Sequence, residues 1–245
     1  MSAEPARLRD NRILQGTAIA SAFLILLGLG TWQMERLRWK EALLADITAR
    51  AGATPVAAPE NAPDLPEYTP VYADGVFKHD LEHLLIPRTR AGVAGAHVLT
   101  PLARPGAPAV LVNRGFVPVE FEPTATRRAG NPSGPVRVEG LLRLQHPPGP
   151  FVPDNDPAGG SWYSIDLAAM GEATGLELAG YVLDAGPSRN PGGWPEGGQT
   201  NVSIRNTHLE YALTWYGLAG VLAACVSVLG RRAGDSRQRR AGDVT

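Results

Sequence analysis

ILQGTAIASAFLILLGLGTWQM (Ile13–Met34) and YALTWYGLAGVLAACVSVLG (Tyr211–Gly230) decide the fold of this chain. No residue between Arg12 and Glu35 carries a charge, and none does between Glu210 and Arg231. Wound as a helix at ~1.5 Å per residue, each stretch is long enough to cross a hydrocarbon core. The sequence between them is polar, so the chain reads as a helical hairpin in a membrane carrying one water-soluble domain. The expected fold class is a membrane protein with two transmembrane α-helices flanking an α+β, mainly antiparallel β periplasmic domain. Its parts are an N-terminal tail (1–12), a first span (13–34), the domain (35–206) with an amphipathic helix at its start, a second span (207–230) and a basic tail (231–245).

Orientation follows from the arginines. Arg231, Arg232, Arg237, Arg239 and Arg240 follow the second span, while only Arg205 lies close before it. Lys and Arg favour the cytoplasmic side, so both termini are expected inside and the domain outside. The first span exceeds the apolar core of a signal peptide, and no small-x-small site follows Leu29, so it is read as retained. Glu4 and Asp10 among the N-terminal arginines argue against a mitochondrial transit peptide.

Composition excludes further classes. The net charge of -1 gives no footprint for nucleic acid. The single cysteine, Cys225, excludes an intrachain disulfide, a CxxC redox pair, a CxxCH haem attachment and a copper-carrying thiolate pair. No GxSxG, HExxH or P-loop is present, nor a GxGxxG with an acid at the right distance, and no enzyme activity is expected.

Along the chain, Thr31–Ala49 (TWQMERLRWKEALLADITA) is rich in helix formers and continues the first span outward, with Trp32 and Trp39 suited to the membrane interface. Residues 50–70, rich in Ala and Pro, read as an extended linker. Short β-like runs follow at 71–77, 83–88, 97–102, 109–113, 136–144 and 180–184, spaced for hairpins in an antiparallel sheet or partly open barrel. Ile165–Thr174 reads as a short helix ended by Gly175, and 187–198 as a loop.

Most candidate chemistry has a plain reading. His79 and His83 flank a turn and read as solvated loop histidines before they read as a metal site. His97 and His146 read as surface or satisfied histidines, and Asn155-Asp156-Pro157 as a turn. Asn113-Arg114-Gly115 reads as a strand-ending turn. His208 differs by its place at the outer membrane boundary. In IRNTHLEYALTWY (204–216), a helix starting near Asn206 puts Arg205, His208, Tyr211 and Trp215 on one face. That face offers a potential iron ligand, a cation and two flat aromatic surfaces; on these residues alone it reads first as an interfacial histidine with an aromatic belt, with a haem or quinone site as the alternative. Gly16-xxx-Ala20 and Gly220-xxx-Ala224 fall at similar depth and are expected to let the two spans pack closely. Trp32 and Arg36 would then stand near Arg205 and His208.

Several segments together resemble one family: LGTWQMERLRWK (29–40), YADGVF (72–77), PRT with HVLTPL (87–102), VNRGFVP (112–118), WYSIDLAAM (162–170) and THLEYALTWYGLA (207–219). In this order and with two spans, they are similar to the Surfeit locus protein 1 family. Phe116 stands where that family commonly has Trp. The resemblance implies a bacterial inner-membrane assembly factor for haem a-type cytochrome c oxidase. It implies haem a as cofactor, with the oxidase catalytic subunit and the haem a synthesis enzyme as partners. The family's histidine in HLxYAxTW corresponds to His208, the expected iron ligand. Tyr211, Trp215 and Trp32 would pack on the porphyrin, and Arg205 or Arg36 would pair with propionates. A scaffold that binds oxidase subunits without a haem site is the alternative.

Overall fold

The computed structural model describes residues 4–61, 65–200 and 206–242. It divides into two compact units, Met1–Ala45 with Ser203–Thr245, and Asp46–Val202.

The first unit is built on two helices. Helix α1 (Glu4–Ala51) runs unbroken through the apolar stretch and the helix-forming segment after it. Helix α3 (His208–Gly242) carries the second apolar stretch and continues into the basic tail. The segments Ile13–Ala51 and His208–Arg232 are long and apolar enough to cross a membrane. On α1, Phe23, Leu26, Gly30, Gln33 and Leu37 recur at spacings of three and four and are partly or fully buried. This is the seam pattern of two packed helices. Among the described side chains of α3, Ala212 and Ala219 are buried, seven residues apart.

The close approach does not fall where the small-residue pattern placed it. A Cβ at Gly16 or Gly220 would meet nothing within 4 Å, whereas one at Gly30 would lie 2.7 Å from the Tyr216 ring. The bare backbone at Gly30 makes room for an aromatic side chain rather than for a second backbone.

The second unit is a sheet of seven strands among the described residues: β1 (Val56–Ala57), β2 (Pro70–Phe77), β3 (His83–Arg90), β4 (Val93–Arg104), β5 (Ala107–Pro118), β6 (Pro135–Arg143) and β7 (Leu178–Ala185). The order is β1-β2-β6-β7-β5-β4-β3, and β2 also pairs with β4. That extra pairing, Val76 with Ala103 and Phe77 with Leu102, closes five strands into a small barrel. The barrel matches the partly open form expected, and most pairings are antiparallel. Two are parallel: β1 with β2, and β5 with β7, the latter because β7 arrives after a long crossover containing helix α2 (Leu167–Thr174).

Alternation along the strands sets two faces. Val71, Val110, Val112, Leu142, Tyr181 and Leu183 fill one. Leu85, Leu99, Leu111, Trp162, Met170 and Val182 pack on the other, beneath α2. Each such fully buried side chain contributes about 1.5–3 kcal/mol of transfer free energy. Helix α2 is held at both ends: Asp166 accepts from the Ala169 amide at 3.1 Å, and Gly175 closes it in the left-handed conformation at φ 67°.

Three readings are corrected. Residues 50–70 are not a free linker: β1 lies in the segment, Tyr181 donates to the Pro59 carbonyl at 2.6 Å, and Arg104 donates to the carbonyls of Pro59 and Glu60. Asn113-Arg114-Gly115 does not end a strand. It is a bulge inside β5, where Val98 pairs with Gly115 and Leu99 with Asn113. Gly115 takes φ 115° and its amide is accepted by Asn113 Oδ1 at 3.2 Å. His79 and His83 are half-buried rather than solvated: His79 Nε2 is 3.0 Å from the Pro132 carbonyl, and the His83 ring lies 4.8 Å from that of Trp162. Among the described residues no group of three metal-ligating side chains converges.

Candidate functional site

The first turn of α3 sets up His208. Asn206 Oδ1 accepts from the His208 amide at 3.3 Å, and the Thr207 carbonyl accepts from the Tyr211 amide at 3.2 Å. These contacts satisfy groups that a helix start would leave open. His208 is then half-buried with its ring directed at α1.

The residue that meets it there is Gln33, which the sequence reading did not single out. Gln33 Oε1 lies 2.7 Å from His208 Nδ1, and Gln33 is only 9% exposed. An amide oxygen accepts and cannot donate, so the hydrogen bond places the imidazole proton on Nδ1 and leaves the Nε2 lone pair for a ligand. Metal-ligating histidines are oriented in this way, one ring nitrogen donating to a neighbour and the other binding the metal. A polar residue in an apolar run was the available signal.

A second polar contact lies two residues earlier on α1. Thr31 Oγ1 donates to the Leu27 carbonyl at 2.9 Å, so it accepts from Tyr216 Oη at 3.1 Å. Together with Gly30, this fixes the Tyr216 ring and with it the level at which His208 faces Gln33.

The other expected site residues fall as follows. Tyr211 and Trp32 are 54% and 51% exposed, leaving flat apolar surface open near the level of the Gln33–His208 contact. Trp215 is partly buried. Arg36 is exposed, with its guanidinium 4.6 Å from the centre of the Trp39 ring. Arg205 lies outside the described residues. The donor set fits a haem-type group: an imidazole nitrogen that could bind iron, open aromatic faces and an exposed cation on the first helix.

The comparisons with known proteins agree with one another. A model of the SURF1 family matches residues 20–220. A SURF1-like protein of Monosiga brevicollis is 40% identical over 239 residues, spanning 91% of this chain and 90% of its own length. Surfeit locus protein 1 of Mus musculus is 38% identical over 233 residues, 87% of this chain and 74% of its own. The Homo sapiens protein of that name is 40% identical over 210 residues, 78% and 69% respectively.

Proposed function

The chain belongs to the SURF1 family, and from that premise we propose that it is a membrane-anchored assembly factor for haem a-type cytochrome c oxidase, holding haem a on His208 for transfer to the catalytic subunit. The observation that carries the haem assignment is the hydrogen bond between His208 Nδ1 and Gln33 Oε1 at 2.7 Å. It leaves Nε2 as a basic, oriented nitrogen.

In this reading the protein lies in the bacterial inner membrane with both termini in the cytoplasm and the β domain in the periplasm. The haem a synthesis enzyme supplies the cofactor and the oxidase catalytic subunit receives it. His208 binds the iron, and Gln33 keeps the Nδ1 proton in place. Tyr211, Trp32 and Trp215 offer apolar surface to the macrocycle. Arg36 and Arg205 are the cations available to propionates. Haem a supplies the oxidase with its redox-active iron once delivered. A carrier must also release its cargo, and holding it through the single histidine His208 would suit this. Beyond the reversible bond of His208 to its cargo the chain makes or breaks no bond in this role, and we read it as a carrier rather than an enzyme.

The test is an optical spectrum of the detergent-purified protein, wild type beside His208→Ala, after co-expression with a haem a synthesis pathway. A haem a spectrum in the wild type that is lost in a folded His208→Ala variant supports the carrier. Absence of haem from both, with oxidase assembly still dependent on the protein, would replace the carrier with a scaffold. Haem retained equally by both would remove His208 as its required ligand.

A further inference from the structure

The β domain contains a cavity of mixed apolar and polar lining that plays no part in haem binding as proposed above. It has a volume of ≈ 340 Å³ and is lined by Arg88, His97, Asn113, Ser164 and Asp184, among others. Of the sequence segments that resemble the family, PRT supplies Arg88 to the wall of this cavity, HVLTPL His97, VNRGFVP Asn113 and WYSIDLAAM Ser164. Arg88, His97 and Asn113 meet here because β3, β4 and β5 are neighbours in the sheet, and Ser164 joins them from the crossover before α2.

Arg88 is aimed into this cavity by the backbone. Leu85 and Arg88 are three residues apart, so in a regular strand they would face opposite sides. The register of β3 on β4 shifts between them, Leu85 pairing with His97 and Arg88 with Gly95, and both side chains line the same cavity. Bulges re-aim side chains in this manner, often at sites.

Arg90, Arg127, Arg137 and Arg143 each meet a carboxylate, but among the described residues Arg88 forms no ion pair. Its Nη1 donates to the Pro87 carbonyl at 2.9 Å. Burial pulls its pKa below the usual arginine range without a partner to offset the cost. Beside it, burial and the Arg88 charge push His97 down to about 4, so the imidazole is neutral and Arg88 is the cation of that wall.

The far wall limits the ligand. Asp184 accepts from Asn113 Nδ2 at 2.9 Å and from Thr200 Oγ1 at 2.8 Å, and Arg143 Nη1 is 3.9 Å away. A carboxylate there opposes a multiply charged anion such as phosphate. Leu85, Leu144, Val152 and Ile165 supply apolar lining.

We propose that this cavity binds a monocarboxylate carried on a short apolar chain, with the Arg88 guanidinium donating to its oxygens. Such a group occurs in a free branched-chain acid and at the C-terminal residue of a polypeptide. The two are separated by titrating the full chain in detergent micelles with isovalerate and with N-acetyl-leucine, using calorimetry. N-acetyl-leucinamide, which lacks the charge, is the control. Charge-assisted bonds to arginine predict binding of at least one acid about tenfold or more tighter than the amide. They also predict loss of that preference in Arg88→Met, with the melting profile checked against wild type. Tighter N-acetyl-leucine identifies a chain terminus, and tighter isovalerate a free acid. Equal binding of acid and amide by the wild type overturns the proposal. So does no saturation by either acid up to about 10 mM, well above the ~1 mM scale of a weak small-ligand site.

Discussion

Replacing Gln33 with Leu tests the histidine arrangement at its least obvious point. The change keeps the approximate size of the side chain and replaces its amide with apolar atoms suited to the surrounding run, so the helix and its seam should survive. It removes the acceptor 2.7 Å from His208 Nδ1. A hydrogen bond of this kind is worth about 1 kcal/mol net, roughly a fivefold bias toward the Nδ1–H tautomer. Outer partners of metal-binding histidines typically alter metal affinity by ~10–100-fold. We therefore expect Gln33→Leu to weaken haem a binding by about 10–100-fold, and Gln33→Glu, which keeps an acceptor, to restore most of it. Two assays are needed. Nitrogen-15 NMR of the haem-free protein in micelles reads the His208 tautomer directly: Nδ1 protonated in wild type, a shifted mixture in Gln33→Leu. Haem titration then reads the affinity. Unchanged nitrogen shifts and unchanged affinity in Gln33→Leu would refute the positioning role. Absence of haem binding by wild type, with the tautomer as expected, would refute the carrier function and leave the hydrogen bond standing.

Other consequences follow from the same structure. Arg127 and Glu82 form a buried pair, with side chains 1% and 8% exposed, and Thr124 also donates to Glu82. Arg127→Met should cost about 3–5 kcal/mol in denaturant unfolding by stranding the carboxylate; adding Glu82→Gln should recover part of the loss, and an additive double variant would refute the pairing argument. His97 is held neutral, its pKa lowered from 6.5 to about 4. Below pH 6.5 the unfolded chain takes up a proton that the folded one refuses, so stability falls as pH drops through this window. The loss is about 3 kcal/mol at ~1.4 kcal/mol per pH unit. The raised Asp184 acts in the opposite sense, so the difference between wild type and His97→Gln, measured from pH 7 to 4, isolates the histidine. Gly30→Ala gains about 1 kcal/mol of helix propensity but places a Cβ 2.7 Å from the Tyr216 ring. A lower melting temperature is expected, and a higher one would show that the ring moves aside freely.

Local signals carried much of the fold. Strands β2, β3, β6 and β7 were bounded by Gly and Pro and lie where the alternation placed them, and α2 ends where Gly175 placed its stop, though it starts at Leu167, after the Asp166 cap, rather than at Ile165. Strand β5 was cut short at Asn113 because NRG looks like a turn; only the pairing with β4 reveals that Arg114 is the extra residue of a bulge. The parallel contact of β5 with β7 was not legible, since it depends on which strands become neighbours after a long crossover. Of the site, His208 could be read from its position at an apolar boundary. Gln33 could not be paired with it from spacing, because the partners are 175 residues apart. The cavity around Arg88 was hidden for the same reason: its walls come from segments that look unrelated until the sheet assembles them.

The position of β7 has a consequence for biosynthesis. It is the last strand of the domain to be made, yet it sits in the middle of the sheet, between β6 and β5. Until residues 178–185 arrive, β5 and β6 have no common partner, and the apolar side chains that Tyr181, Val182 and Leu183 later cover remain open to water. The domain therefore closes late and in one event, paying the loop entropy of its most distant contacts at the end. A ribosome stalled, or a chain cut, anywhere before Leu178 leaves an open sheet with two unpaired edges already tethered to the first helix, a natural substrate for quality-control proteolysis.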